Sequence, residues 1–184
     1  ATLETAVAQA DVVLTSGGVS VGEADYTRSL LAAMGDVAFW KVAMRPGRPF
    51  AFGALRGAPG PDGSPARTGW LFALPGNPVA ALVTFYVFAR EALLTLAGAV
   101  PEPLVLLQAR CVQGLRKRPG RSEFQRGRVS RASGGGWQVD ITGAQGAGIL
   151  RSMSEANCLV VLGHEQGSLM PGDLVDVWLF DGLV

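Results

Sequence analysis

The chain has 184 residues, 48% of them hydrophobic and 17% charged, with a formal net charge of +1. This is material for one domain with a sizeable core or for two small ones, and it excludes global disorder and a bulk polycation. The two cysteines, Cys111 and Cys158, lie far apart and in no CxxC spacing. They argue against a disulfide framework or a zinc site and point to a reducing, cytoplasmic setting.

No signal peptide is legible, and the opening residues ATLETAVAQA read as helix over 3–10. That start looks like the middle of a domain, so the chain reads as part of a longer protein. Residues 11–15 form a short buried strand with β-branched valines, followed by a glycine-rich loop over 16–24. DYTRSLLAAMG predicts a helix closed by Gly35, and DVAFWKVAM a strand. RPG turns the chain, RPFAFGAL returns as a strand, and RGAPGPDGSPARTG is an exposed, flexible connection. WLFALP is a further buried strand, and GNP launches a long apolar helix from Pro78. Arg90 and Glu91 interrupt that helix after about a dozen apolar residues, short of the roughly 20 that span a bilayer, so it reads as a buried helix and not a membrane span.

Strands alternating with helices predict an α/β domain with a largely parallel sheet over 1–100. GAVPEP at 98–103 marks the boundary. Over 101–184 short strands alternate with turn residues and no convincing helix, which predicts a small all-β barrel domain.

In open α/β sheets ligands bind beyond the carboxyl ends of the strands, and two loops fall there. In the first, Gly17, Gly18 and Gly22 let the backbone approach an anion at a helix start, with Ser16 and Ser20 as further ligand-binding candidates of the same loop. In the second, Pro75 and Gly76 turn the chain, Asn77 is a good N-cap and Pro78 suits the first helical position. Asp25 is open to two readings, an N-cap or an acid that binds a metal or polarises a reacting group; Glu23 reads as a solvated first-turn carboxylate. Lys41 and Arg45 are four apart, so on one strand they would share a face with backbones roughly 13 Å apart, suiting a long ligand with anionic groups at both ends. Arg48 adds a guanidinium past the turn. A solvated strand edge is the competing reading.

Eight of the sixteen basic residues fall between Arg110 and Arg131, opposed only by Glu123. Phe124 is the one aromatic in this run, so the stacking platforms of a nucleic-acid stripe are missing. A basic rim facing a small anion or a partner subunit accounts for it equally, with Arg126 the member to test first. His164 reads as a surface turn residue, and Trp40, Met44 and Trp70 as core.

In this order, SGGVSVGEADY, FWKVAMRPGRPFAFG, LPGNPVAAL and PGRSEFQRG resemble the C-terminal half of the molybdopterin molybdenumtransferases, the MoeA and gephyrin-type family, from about residue 8 to the end. The resemblance implies part of a three-layer molybdopterin-binding α/β domain followed by a β-barrel domain, in a homodimer. It implies the last step of molybdenum cofactor synthesis: adenylylated molybdopterin and molybdate give the cofactor and AMP, assisted by Mg2+. Other cofactor-synthesis proteins or molybdoenzymes are implied as partners; nucleic acid and membrane are not. By position, Asp25 matches the family's acid that places metal or pyrophosphate. Lys41, Arg45 (Lys in many members) and Arg48 match its basic strand, Pro75 to Pro78 the loop lining the pocket, and Arg126 the arginine of its RG motif. Ala147 departs from a common Ser. Two other functions are compatible with parts of the pattern: an adenylyltransferase-like pterin module, disfavoured by the β-rich tail, and a gephyrin-like scaffold for partner peptides.

Overall fold

The computed structural model describes residues 2–18, 31, 33–59, 63–100 and 105–180. They fall into two compact units, Ala1–Val42 with Gly47–Asn77, and Ala43–Pro46 with Pro78–Val184.

The first unit is a mixed α/β layer. Helix α1 (Thr2–Gln9) precedes strands β1 (Val12–Ser16), β2 (Gly35–Lys41), β4 (Pro49–Arg56) and β5 (Thr68–Leu74). They form a sheet in the order β1-β5-β4-β2. Side chains alternate across a strand, so Val13, Ala51, Leu55, Leu71 and Ala73 share one face. There they pack with Val7 of α1 and Leu31.

The α/β expectation holds, but the sheet is less parallel than expected. β1 and β5 run parallel, whereas β5–β4 and β4–β2 are antiparallel. The reason is the connections. Parallel neighbours need a crossover of a dozen or more residues, usually helical, and fewer residues than that separate β2 from β4 and β4 from β5. The β4–β5 loop is exposed where it is described. Its ends are fastened by a Gly57 N–H bond to the Arg67 carbonyl, and the Arg67 guanidinium contacts Asp11 at 2.7 Å.

The helix before Gly35 ends at Met34, as expected, and Gly35 is itself the first residue of β2, paired with Leu55. A Cβ there would lie 2.0 Å from the Ala54 carbonyl oxygen, so the close approach of β4 demands glycine. DVAFWKVAM is likewise not one strand: β2 stops at Lys41, and Met44–Arg45 form β3, which belongs to the other unit. Met44 is core, but Trp40 and Trp70 are 56% and 38% exposed. They stand on the sheet face opposite Val13 and Leu71, where Trp70 stacks on Phe52 with centroids 5.4 Å apart.

The second unit is a barrel. β6 (Leu106–Cys111), β7 (Ser122–Arg131), β8 (Trp137–Ile141), β9 (Cys158–Leu162) and β10 (Leu174–Leu179) pair in the ring β7-β8-β6-β10-β9 and back to β7. Closure leaves no free edge within the ring. β3 adds to β7 in parallel, Met44 opposite Ser122 and Arg45 opposite Glu123. Ala109, Cys111, Val129, Val139, Cys158, Val160, Leu162, Val175 and Val177 fill the interior. Each large aliphatic contributes about 1.5–3 kcal/mol on burial. Both cysteines are free and buried.

Helix α2 spans Pro78–Leu96, with a π-helical turn at Phe85–Ala89. By length and composition it is long and apolar enough to cross a membrane. The buried-helix expectation holds for its first two turns, where Val79, Ala80, Val83 and Thr84 are covered, and fails for Arg90–Leu96, which buries no residue. One helical turn, α3 (Arg151–Ser154), interrupts the all-β half, where no helix was expected.

Candidate functional site

At the carboxyl edge of the first unit, the parallel strands β1 and β5 end level, Ser16 opposite Leu74. The two loops leaving them are stitched together: the Gly17 N–H donates to the Leu74 carbonyl at 3.0 Å, and Ser16 Oγ donates to the Pro75 carbonyl at 3.2 Å. Gly17 and Gly18 have φ of +96° and +74°, a region where side chains are strained. A Cβ on Gly76 would stand 3.4 Å from Gly17 Cα, at van der Waals contact, so the two loops lie side by side. Ser16, Gly17, Gly18, Pro75, Gly76 and Asn77 are thus gathered on one edge. Ser20, Gly22, Glu23 and Asp25 lie outside the described residues. Pro78 opens α2, and the free Val79 N–H of that first turn donates to the Ala147 carbonyl at 3.2 Å, so position 147 serves the helix through its backbone.

Lys41 and Arg45 do not share a strand face. Lys41 ends β2 in the first unit and is exposed, as is Arg48, whose carbonyl accepts from the Val42 N–H. β3 carries Arg45 to the barrel sheet, where with Pro46 it lines a cavity of about 320 Å3.

The other walls of that cavity come from Gly114–Arg116, Glu123–Arg126, and the stretch from Ile141 to Gln145. Glu123 is buried at 3% exposure, and its Oε1 accepts from Arg121 Nε at 2.8 Å. Its Oε2 accepts from Gln125 Nε2 at 3.3 Å. Glu123 is thereby ion-paired with Arg121, which does not line the cavity, while among the described residues Arg45, Arg116 and Arg126 meet no carboxylate. The wall carries a surplus of positive charge, which is what an anion needs.

Arg126 is 1% exposed, yet it is not part of the barrel core. A Cβ on Gly127 would press on Val139 and Val160 of the interior, so strand alternation turns Arg126 to the outer face. It is buried because the 142–154 loop folds over it. Arg126 Nε donates to Ser152 Oγ at 3.1 Å, and Nη2 donates to the carbonyls of Gly146 at 3.1 Å and Ala144 at 3.4 Å. Burial first, and then the Arg45 charge, push the Arg126 guanidinium below its ordinary value.

Two members of the basic run, Arg126 and Lys117, are buried, whereas Arg110, Arg116, Arg118, Arg128 and Arg131 are exposed. Lys117 is 6% exposed, and its Nζ donates to the carbonyls of Gln166 at 2.6 Å and His164 at 3.2 Å. His164 itself sits in an exposed turn, as expected. Glu123, Gln145 and Ser152 were not singled out from the sequence; the strict i, i+2 phasing of Glu123 with Gln125 on β7 was the available signal for the first, and no local signal marks the other two. Among the described residues no three His, Cys, Asp or Glu side chains come together to hold a metal ion.

The described residues thus comprise a mixed α/β unit with two stitched turns on its strand ends, joined in sequence to a closed barrel with a guanidinium-lined cavity. Residues 1–95 match the family described as "Probable molybdopterin binding domain", and residues 108–180 match "MoeA C-terminal region (domain IV)". The chain belongs to this molybdopterin-binding family. It is 40% identical over 180 residues to a molybdopterin molybdenumtransferase of Haemophilus influenzae, covering 97% of this chain and 42% of that protein. A gephyrin of Dictyostelium discoideum is 30% identical, with 91% and 25% covered. A crystal structure of a molybdopterin biosynthesis moeA protein from Pyrococcus horikoshii superposes with a TM-score of 0.67 at 28% identity, over 97% of this chain and 39% of that one. The chain therefore spans less than half the length of these relatives.

Proposed function

We propose that the chain is the C-terminal part of a molybdopterin molybdenumtransferase, which takes adenylylated molybdopterin and molybdate to the molybdenum cofactor and AMP. The observation that carries this reading is the barrel cavity, where Arg45, Arg116 and Arg126 offer positive charge and, among the described residues, pair with no carboxylate. A dianionic oxyanion such as molybdate fits that chemistry: Arg45 supplies an exposed guanidinium, and the held guanidinium of Arg126 adds a fixed charge behind it. The stitched loops at Ser16–Gly18 and Pro75–Asn77 would receive the pterin phosphate through backbone N–H groups, with Lys41 and Arg48 neutralising the remaining phosphate charge.

Asp25 is the acid proposed to place Mg2+ or the scissile pyrophosphate. The described residues provide no cation cage, so no step is derived through the metal. The reading carries with it a homodimer and a cytoplasmic setting; the two buried free thiols support the latter.

The test is molybdate-dependent AMP release by the complete protein. Arg45→Ala and Asp25→Ala should each lower it by at least about a hundredfold, the usual loss on removing a preorganised charge. Normal turnover in both variants would remove the assignment.

A further inference from the structure

We propose that Gln145 is a positioning residue that holds Arg126 in the cavity wall; the proposal rests on the anion-binding reading given above. Gln145 uses its carboxamide as a substitute peptide group. Its Oε1 accepts from the Arg126 main-chain N–H at 2.7 Å, and its Nε2 donates to the Arg126 carbonyl at 3.1 Å. The position explains the need. β8 pairs with β7 only as far as Ile141 opposite Gly127. The next residue along β7, Arg126, would present an unpaired N–H to the loop that buries it. Thr142 reaches the carbonyl through its own N–H at 3.0 Å but leaves the N–H unserved, and Gln145 completes the ladder.

The second half of the argument is adjacency. The carbonyls that receive Arg126 Nη2 belong to Ala144 and Gly146, the two neighbours of Gln145. Pinning the Gln145 side chain to the Arg126 backbone therefore brings both acceptors to the Arg126 guanidinium. Gln145 Nε2 also donates to the Thr142 carbonyl at 2.9 Å, closing the loop on itself. Residues 144–146 thus contact both the backbone and the side chain of Arg126, beside the bonds from Thr142 and to Ser152, and Gln145 has no charge of its own to offer an anion.

The experiment uses the full chain, with inorganic molybdate as the probe. Arg126 amide hydrogen exchange and calorimetric molybdate binding are measured for wild type, Gln145→Met, Gln145→Glu, Arg126→Ala and the Gln145→Met/Arg126→Ala pair. Gln145→Met should expose the Arg126 amide to exchange and weaken molybdate binding about tenfold, and it should weaken it no further when Arg126 is already Ala. Gln145→Glu keeps the acceptor for the Arg126 N–H, so it should retain amide protection while losing affinity. That variant also carries the test if Gln145→Met does not fold. Unchanged exchange in Gln145→Met, or a full additive loss in the double variant, overturns the positioning role and leaves the anion reading standing. Unchanged molybdate binding in Arg126→Ala overturns the anion reading, and the positioning proposal with it.

Discussion

Replacing Arg126 by Lys keeps the charge and removes the fork. The guanidinium sends Nε to Ser152 Oγ and Nη2 to the carbonyls of Ala144 and Gly146, three acceptors on different sides of the group. A lysine ammonium is a point donor on a flexible stem and can serve one of these sites well. Hydrogen bonds from a charged donor contribute about 1.5–3 kcal/mol each, and the 3.4 Å bond to Ala144 stands at the weak end. Ser152 Oγ still donates to the Ile149 carbonyl, so that hydroxyl is not orphaned. Counting one strong bond lost outright and one weak bond poorly replaced, the expected destabilisation is about 2 kcal/mol. It should be read as a lower urea midpoint at constant m in an unfolding curve followed by tryptophan fluorescence. Molybdate binding should fall in parallel, because the 142–154 loop that shapes one cavity wall loses its anchor. A variant with wild-type midpoint and wild-type affinity would refute the idea that the fork, and not merely the charge, organises this wall.

Lys117→Met removes the ammonium that ties the 115–118 strap to the turn at His164–Gln166 while keeping the length of the side chain. With two good charged bonds lost and both carbonyls near enough to the surface to recruit water, the cost should be about 2 kcal/mol by the same unfolding assay. Glu123→Gln removes the one carboxylate that the described residues place in the cavity wall, so molybdate should bind more tightly by calorimetry although the Arg121 pair is lost; weaker binding would contradict the electrostatic account. Burial raises the Cys158 thiol to about 11 from 9.0. The unfolded thiol ionises first, so this contribution to stability is complete below about pH 9 and is lost between pH 9 and about 11, at up to about 1.4 kcal/mol per pH unit. A Cys158→Ala variant should show a shallower loss over that window in pH-dependent unfolding.

What the sequence disclosed follows the range of the interactions concerned. The barrel strands were readable because alternation and turn residues are local signals, and the glycine-rich turns because positive φ is a property of single residues. Lys41 and Arg45 misled for the same reason: a four-residue spacing implies a shared face only if one strand continues, and the break at Val42–Ala43 is set by pairing with Arg48 and with Ser122, neither adjacent in sequence. Trp40 and Trp70 carry the composition of a core, but which sheet face is covered depends on what packs there. Gln145 and Ser152 could not be foreseen, since their partner lies 19 and 26 residues away.

The burial of Arg126 also decides what kind of residue it is. An arginine on the outer face of a strand is normally a solvated, replaceable charge worth little. Here a loop has been closed over it at the cost of desolvating a guanidinium that meets no carboxylate among the described residues, with a second cation, Arg45, close enough to oppose it. Carbonyl dipoles and one hydroxyl offset part of that cost, but an apolar side chain of equal volume would satisfy the packing with less penalty. Stability alone does not account for the arrangement. An anion in the adjoining cavity would, because it would relieve the repulsion between Arg45 and Arg126. Molybdate should then raise the unfolding midpoint of the wild type, as binding to the native state requires. The gain should disappear in Arg45→Ala, and a midpoint indifferent to molybdate in the wild type would mean that the cavity's charge serves something else.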